Sequence, residues 1–247
     1  MNIRNIMFPD SGYRSQLLQY RTVYLLLALT ALLCYVAHPC GVLSNDSGSY
    51  YRAAFRLTQL RIDEFRPPVY PLLILATEKI ADTAVSRFLI TMFQWLLFGA
   101  AVLSFRRCAA MLGGRRRPVF WATVLFALVP GMWRWNYLIL TESISISLSV
   151  FLITAWVSAT LRPAAWKLMA VSLLIVVLFL TRPVFLALVP VYALWLAVML
   201  LRCKALRRML LVYGTDTLMA MVITVGSYWA WIHHIYDLDS VSGTEHP

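Results

Sequence analysis

A few short stretches of this 247-residue chain carry side chains able to move a proton or hold an anion. The first is SNDSGSYYRAAFRL, where Ser44, Asn45, Asp46 and Ser47 have the composition of a helix start. Asp46 is then either the N-cap of that helix, its carboxylate accepting from free backbone N–H groups, or a general base positioned to take a proton from a hydroxyl. Glu142 in NYLILTESISIS poses the same choice, because threonine followed by an acid is an ordinary beginning for a helix. Arg182 in FLTRPVFL lies between two apolar runs and before the helix-starting Pro183, where a bound anion is the simplest partner for a guanidinium.

Other residues admit a role with less specificity. Arg66 in EFRPPVYP precedes paired prolines that stiffen the backbone and can aim a neighbouring side chain; anchoring at a membrane surface together with Tyr70 is the alternative. Arg134 is flanked by Trp133 and Trp135 and reads as an interfacial anchor. His233 and His234 are adjacent, which suits joint metal ligation poorly, and mark the exit from the last apolar run. Asp216, in YGTDTLMA, is the one acid inside such a run.

The elements that must position these groups are set by composition. The chain is 61% hydrophobic with a mean hydropathy of +0.72, well above the roughly 45–50% apolar content of a soluble domain. A net charge of +11 would suit a nucleic-acid binder, but the basic residues lie between hydrophobic runs rather than on one solvated face, so no nucleic-acid partner is expected. Seven apolar segments stand out, at 22–43, 86–105, 119–133, 143–160, 168–180, 183–201 and 209–232. A crossing takes about 20 residues, so the third and fifth are short. The expectation is an all-α polytopic bundle of about seven transmembrane helices in a single domain, 1–247.

Basic residues order that bundle. With residues 1–21 in the cytoplasm, the inner side collects Arg4, Arg14, Arg21, Arg106, Arg107, Arg115, Arg116, Arg117, Arg162, Lys167, Arg202, Lys204, Arg207 and Arg208, with Asp10 alone among the acids. The outer side holds the other basic residues, among them Arg52, Arg56, Arg61 and Arg66, with Asp63, Glu64 and most of the remaining acids; 233–247 form an outer tail. Pro67–Ile80 is too short to cross, which leaves 44–85 as one long outer loop. In it a helix from Ser47 would put Tyr50, Ala53, Ala54 and Leu57 on one face, to lie flat on the membrane. Cys34, Cys40, Cys108 and Cys203 have the spacing of neither a disulfide framework nor a zinc site. The run after Arg21 lacks a small-x-small cleavage site and is read as an uncleaved anchor.

The order NDSGSYYRAA, RPPVYPLLI, LTESISISL and TRPVFLALVP, with its expected sidedness, resembles the GT-C superfamily of membrane glycosyltransferases, nearest the bacterial relatives of protein mannosyltransferases and of the lipid A aminoarabinose transferase. The resemblance covers nearly the whole chain as the shared seven-helix module of a family whose members usually continue further. Where many members carry two adjacent acids in the first loop, this chain has Asn45, Asp46 and Ser47. The resemblance implies a bacterial inner-membrane enzyme that takes a sugar from a polyprenyl-phosphate donor and transfers it, on the periplasmic face, to an acceptor the sequence does not name. It assigns the first-loop acid to Asp46, the second-loop acid to Glu142 and the arginine before proline to Arg182. Asp46 would accept the acceptor's proton while Arg182, with Arg66 or Arg52, neutralises the departing phosphate, and Tyr70 would help hold the donor. No metal or other cofactor is invoked. A noncatalytic or truncated subunit that binds a lipid-linked sugar beside a partner, and a lipid or sugar transporter, are the other functions in view. A transporter usually places its substrate groups near the midplane, whereas these acids fall at one end of the runs.

Overall fold

The computed structural model describes residues 10–63, 65–202 and 207–241. Arg4, Glu64, Cys203, Lys204 and the tail from 242 lie outside the described residues. The described residues are mostly helical, and no strand forms among them. The helices are α1 (Asp10–Ala37), α2 (Ser47–Thr58), α3 (Val69–Glu78), α4 (Thr83–Met111), α5 (Arg116–Leu128), α6 (Pro130–Tyr137), α7 (Glu142–Leu161), α8 (Ala165–Phe179), α9 (Leu188–Arg202) and α10 (Arg207–Val241). A 3₁₀ turn, Pro183–Ala187, leads directly into α9.

Five stretches are long and apolar enough to cross a membrane: Gln19–Ala37, Thr83–Met111, Glu142–Leu161, Pro183–Arg202 and Arg207–His234. They present large apolar side chains outward, as along α1 at Leu25, Leu29, Leu32, Leu33 and Val36. That surface suits lipid contact, not water.

Several expected boundaries move, each for a local reason. The first run stops at Ala37 instead of Leu43 because Pro39 disfavours helical geometry at His38. The third run, 119–133, is two helices: Pro130 has no N–H to donate, Val129 turns extended (ψ 116°), and α6 starts afresh. With 13 residues, α5 rises about 20 Å, short of a hydrocarbon core of about 30 Å. The fifth run is α8, whose 15 residues rise about 22 Å. α10 continues past 232 to Val241, into the segment expected as a tail.

The bundle is held by α4 against α7, α7 against α8, and α8 against α10. Leu152, Val171, Ile175, Leu178, Tyr192 and Met221 fill the space between α7, α8, α9 and α10. A second core, of Tyr50, Ala54, Tyr70, Ile74, Ile90, Ile139 and Ile144, fastens the first loop onto α4 and α7. The face of α2 expected to rest on a membrane is thus used inside the protein. Ser47, Tyr50, Ala53 and Ala54 are all buried there, and α2 packs on α3.

Candidate functional site

The segment after α1 sets the position of the first acid. Gly41 takes φ +67°, and the chain then pairs with the segment after α6: Val42 N–H donates to Tyr137 O at 2.9 Å and Ile139 N–H to Val42 O at 3.1 Å. Ser47 adds a third link, its hydroxyl donating to Ile139 O at 2.9 Å while it accepts from Ser44 N–H at 2.8 Å. These bonds carry Asp46 to the end of α7 where Glu142 begins that helix.

Neither acid caps its helix with its side chain. Asp46 occupies the N-cap position of α2 in helical geometry (φ −81°, ψ −19°) without a side-chain cap bond, and Thr141 precedes α7 in the same state. Each carboxylate meets a guanidinium from a distant segment. Arg66 Nη2 lies 3.3 Å from Asp46 Oδ1, and Arg182 Nη1 lies 3.3 Å from Glu142 Oε1. The Asp46 side chain is 69% exposed and that of Glu142 24% exposed, so the first acid faces solvent and the second points inward. Glu142 Oε2 is buried with no hydrogen-bond partner among the described residues.

Tyr50 joins the two pairs. Its hydroxyl accepts from Arg66 Nη1 at 3.1 Å and lies 3.0 Å from Thr141 Oγ1, on the residue next to Glu142. The Arg66 guanidinium also covers the Tyr50 ring at 4.4 Å and donates through Nε to Ser49 Oγ at 2.8 Å. Asp63 orients this arginine from the backbone side: its Oδ1 accepts from Phe65 N–H and Arg66 N–H, while its Oδ2 takes a bond from Arg56. The prolines then turn the chain into α3, where Val69 N–H donates to Leu180 O at 3.2 Å. That bond ties the Arg66 segment to the one bearing Arg182.

Tyr70, expected to help hold the donor, with surface anchoring beside Arg66 as the alternative, is fully buried beneath the cluster, which suits neither an anchor at the surface nor direct contact from its ring. Its ring stands edge-on to Tyr50 at 5.1 Å, and its hydroxyl donates to Gln94 Oε1 at 3.0 Å. Gln94 is fixed in turn by bonds from Nε2 to Trp135 O and Leu138 O. Burial pushes the Tyr70 hydroxyl well above the usual tyrosine range, with Tyr51, Tyr50 and Glu142 acting in the same direction. Tyr70 therefore stays a neutral donor and supports the site from beneath.

Arg52 is exposed on α2, away from its buried face, and no hydrogen bond or ion pair holds it among the described residues. Arg134 is likewise exposed on α6. Asp216 is exposed on α10 and lies outside this cluster. Among the described residues no three His, Cys, Asp or Glu side chains gather to hold a metal ion. Tyr50, Thr141, Ser49 and Gln94 are the members that motif reading alone passes over as site residues. The available signal was a set of hydroxyls and an amide on otherwise apolar helix faces, which must find partners when buried.

No family model, no curated protein and no solved structure matches the chain. What the fold itself defines is an all-helical membrane protein with a linked acid–arginine cluster gathered from four separate segments.

Proposed function

We propose that this protein is a membrane glycosyltransferase that moves a sugar from a polyprenyl-phosphate donor to an acceptor on the outer face of a bacterial inner membrane. In this proposal the N-terminus is cytoplasmic, and α8 and the α5–α6 pair complete seven crossings. The observation that supports it is the single network running Asp46–Arg66–Tyr50–Thr141 to the Glu142–Arg182 pair. Four motifs spread over more than a hundred residues meet there.

The acceptor O–H loses its proton to Asp46 as its oxygen bonds to the sugar C1 from the face opposite the phosphate. The C1–O bond breaks with its electron pair on the leaving polyprenyl phosphate, so the anomeric configuration inverts. Asp46 is the better placed of the two acids for this step, since its carboxylate is open to an arriving hydroxyl. The departing phosphate calls for fixed positive charge. Arg182 holds its carboxylate by one contact at 3.3 Å, which leaves further N–H donors of its guanidinium for an oxyanion; Arg66 is bonded through Nε, Nη1 and Nη2 and keeps the second N–H on each of its two terminal nitrogens. Glu142 and Tyr50 position those arginines, Tyr70 supports Tyr50, and Arg52 supplies additional charge near the headgroup.

Transfer of radiolabelled sugar from a panel of polyprenyl-phosphate donors by membranes containing the chain tests this, alongside Asp46→Asn. Label on an acceptor that vanishes with Asp46→Asn, by roughly 10²-fold or more, is the expected result. Donor retained without transfer would instead make the chain a binding subunit for a partner enzyme.

A further inference from the structure

The opposite end of the bundle carries a site that sugar transfer does not use. α4 runs from Gln94, beneath the acid–arginine cluster, to Arg106, twelve residues and about 18 Å further along its axis. There α1, α4 and the start of α5 enclose a cavity of about 550 Å³, lined by Tyr20, Leu103, Arg106, Arg107, Gly114 and Arg116. Arg106 is buried, 9% exposed. Its Nη2 donates to Gln19 Oε1 at 2.7 Å and its guanidinium lies 4.1 Å from the Tyr20 ring centroid. Its Nη1 is buried with no hydrogen-bond partner among the described residues. A buried charged donor left unpaired is costly, and no described side chain of the cavity supplies its acceptor.

The charge around the cavity has the same sense. Arg107 and Arg116 are exposed and line it. The α5 N-terminus arrives there with no acid in its first turn and no side-chain cap, so its free N–H groups and dipole add further positive potential. A helix N-terminus favours an anion, yet here Arg115, Arg116 and Arg117 open the helix. No carboxylate pairs with Arg106, Arg107 or Arg116 among the described residues. Asp10, the nearest acid in sequence on α1, is ten residues and about 15 Å of helix before Tyr20.

We propose that this cavity binds a phosphate-bearing anion, held by Arg106 Nη1, the Arg107 and Arg116 guanidinium groups and the first N–H groups of α5. The apolar side chains of Leu103 and Val119 suit the acyl chains of an anionic phospholipid whose phosphate reaches the arginines; a soluble phosphate is the other source of the same group. The site stands independently of the transfer chemistry.

The full chain in neutral detergent, followed by native mass spectrometry, tests it with phosphatidylglycerol, phosphatidylcholine and inorganic pyrophosphate as probes. The expected result is retention of phosphatidylglycerol or pyrophosphate and not of phosphatidylcholine. Phosphatidylglycerol that pyrophosphate fails to displace identifies a lipid ligand, and displacement identifies recognition of the phosphate alone. Arg107→Gln/Arg116→Gln, both at exposed positions, should weaken binding at least about tenfold, as should Arg106→Gln where it folds. Arg162→Gln, exposed at the same end of the bundle but outside the cavity, should not. Binding of neither anion, equal binding of phosphatidylcholine, full affinity in the double variant, or an equal loss with Arg162→Gln would each overturn the proposal.

Discussion

Removing the Tyr50 hydroxyl isolates the joint between the two acid–arginine pairs. Tyr50→Phe keeps the ring, and with it the edge contact to Tyr70 at 5.1 Å and the guanidinium over its face at 4.4 Å. It removes two bonds, the one from Arg66 Nη1 at 3.1 Å and the one with Thr141 Oγ1 at 3.0 Å. The Arg66 side chain is 26% exposed and regains water, so that bond contributes about 1 kcal/mol. Thr141 is fully buried, and its hydroxyl, left without a partner, adds about 1–2 kcal/mol. The substitution should therefore cost about 2–3 kcal/mol. Thr141→Val alone should cost about 1 kcal/mol, because Tyr50 keeps Arg66. In the double variant the orphaned hydroxyl is gone, so the total should fall short of the sum by about 1 kcal/mol or more. Equilibrium unfolding in mixed detergent–SDS micelles, followed by circular dichroism, measures all three. Additivity within about 0.5 kcal/mol would refute the coupling and with it the claim that Tyr50 links Arg66 to the start of α7.

Ser47→Ala breaks the bonds to Ile139 O and from Ser44 N–H at a buried position, and should cost about 1–2 kcal/mol in the same unfolding measurement. Gly41→Ala imposes a side chain at φ +67°, with its Cβ 2.8 Å from Thr91 Cγ2. It should cost about 2 kcal/mol or more and loosen the pairing of Val42 with 137–139, seen as faster amide exchange there. Tyr70 gives a pH signature. Its folded hydroxyl titrates well above the ordinary value of 10.0, chiefly through burial, so the stability it contributes is complete below that value and is lost as pH rises through the folded one. Unfolding midpoints should fall above about pH 10, and Tyr70→Phe should flatten that fall; an unchanged slope would show that other groups set it.

Much of the architecture is legible because it depends on local pattern. The α4 helix is announced by the apolar run at 86–105; its start lies a few residues earlier, where the Asp82 side chain accepts from Val85 N–H as an N-cap. The early end of α1 and the division of 119–133 are also local, residing in Pro39 and Pro130, but an apolar count overlooks them. The α2 face of Tyr50, Ala53 and Ala54 is correctly periodic, yet periodicity does not say whether lipid or protein covers it. Its actual cover, α3 and the strand-like segment at 138–140, is a tertiary choice.

The candidate site divides along the same line. Residue type singled out Asp46, Glu142, Arg66 and Arg182, while the residues that connect them stayed hidden, because Tyr50 finds Thr141 across 91 positions of sequence. Local reasoning weighed helix capping evenly against chemistry for Asp46 and favoured capping for Glu142, and the geometry shows neither side chain making a cap bond. An acid that only starts a helix gives its oxygens to backbone N–H groups two or three residues on, as Asp82 does. Asp46 and Glu142 leave those groups alone and turn to arginines 20 and 40 residues away. The exposed Asp46–Arg66 pair contributes at most about 1 kcal/mol. An unpartnered Glu142 Oε2 works against stability. Folding gains little from the exposed pair or from the unpartnered oxygen, and the proposed transfer would use both, with one acid open to solvent and one oxygen inside beside the Arg182 guanidinium.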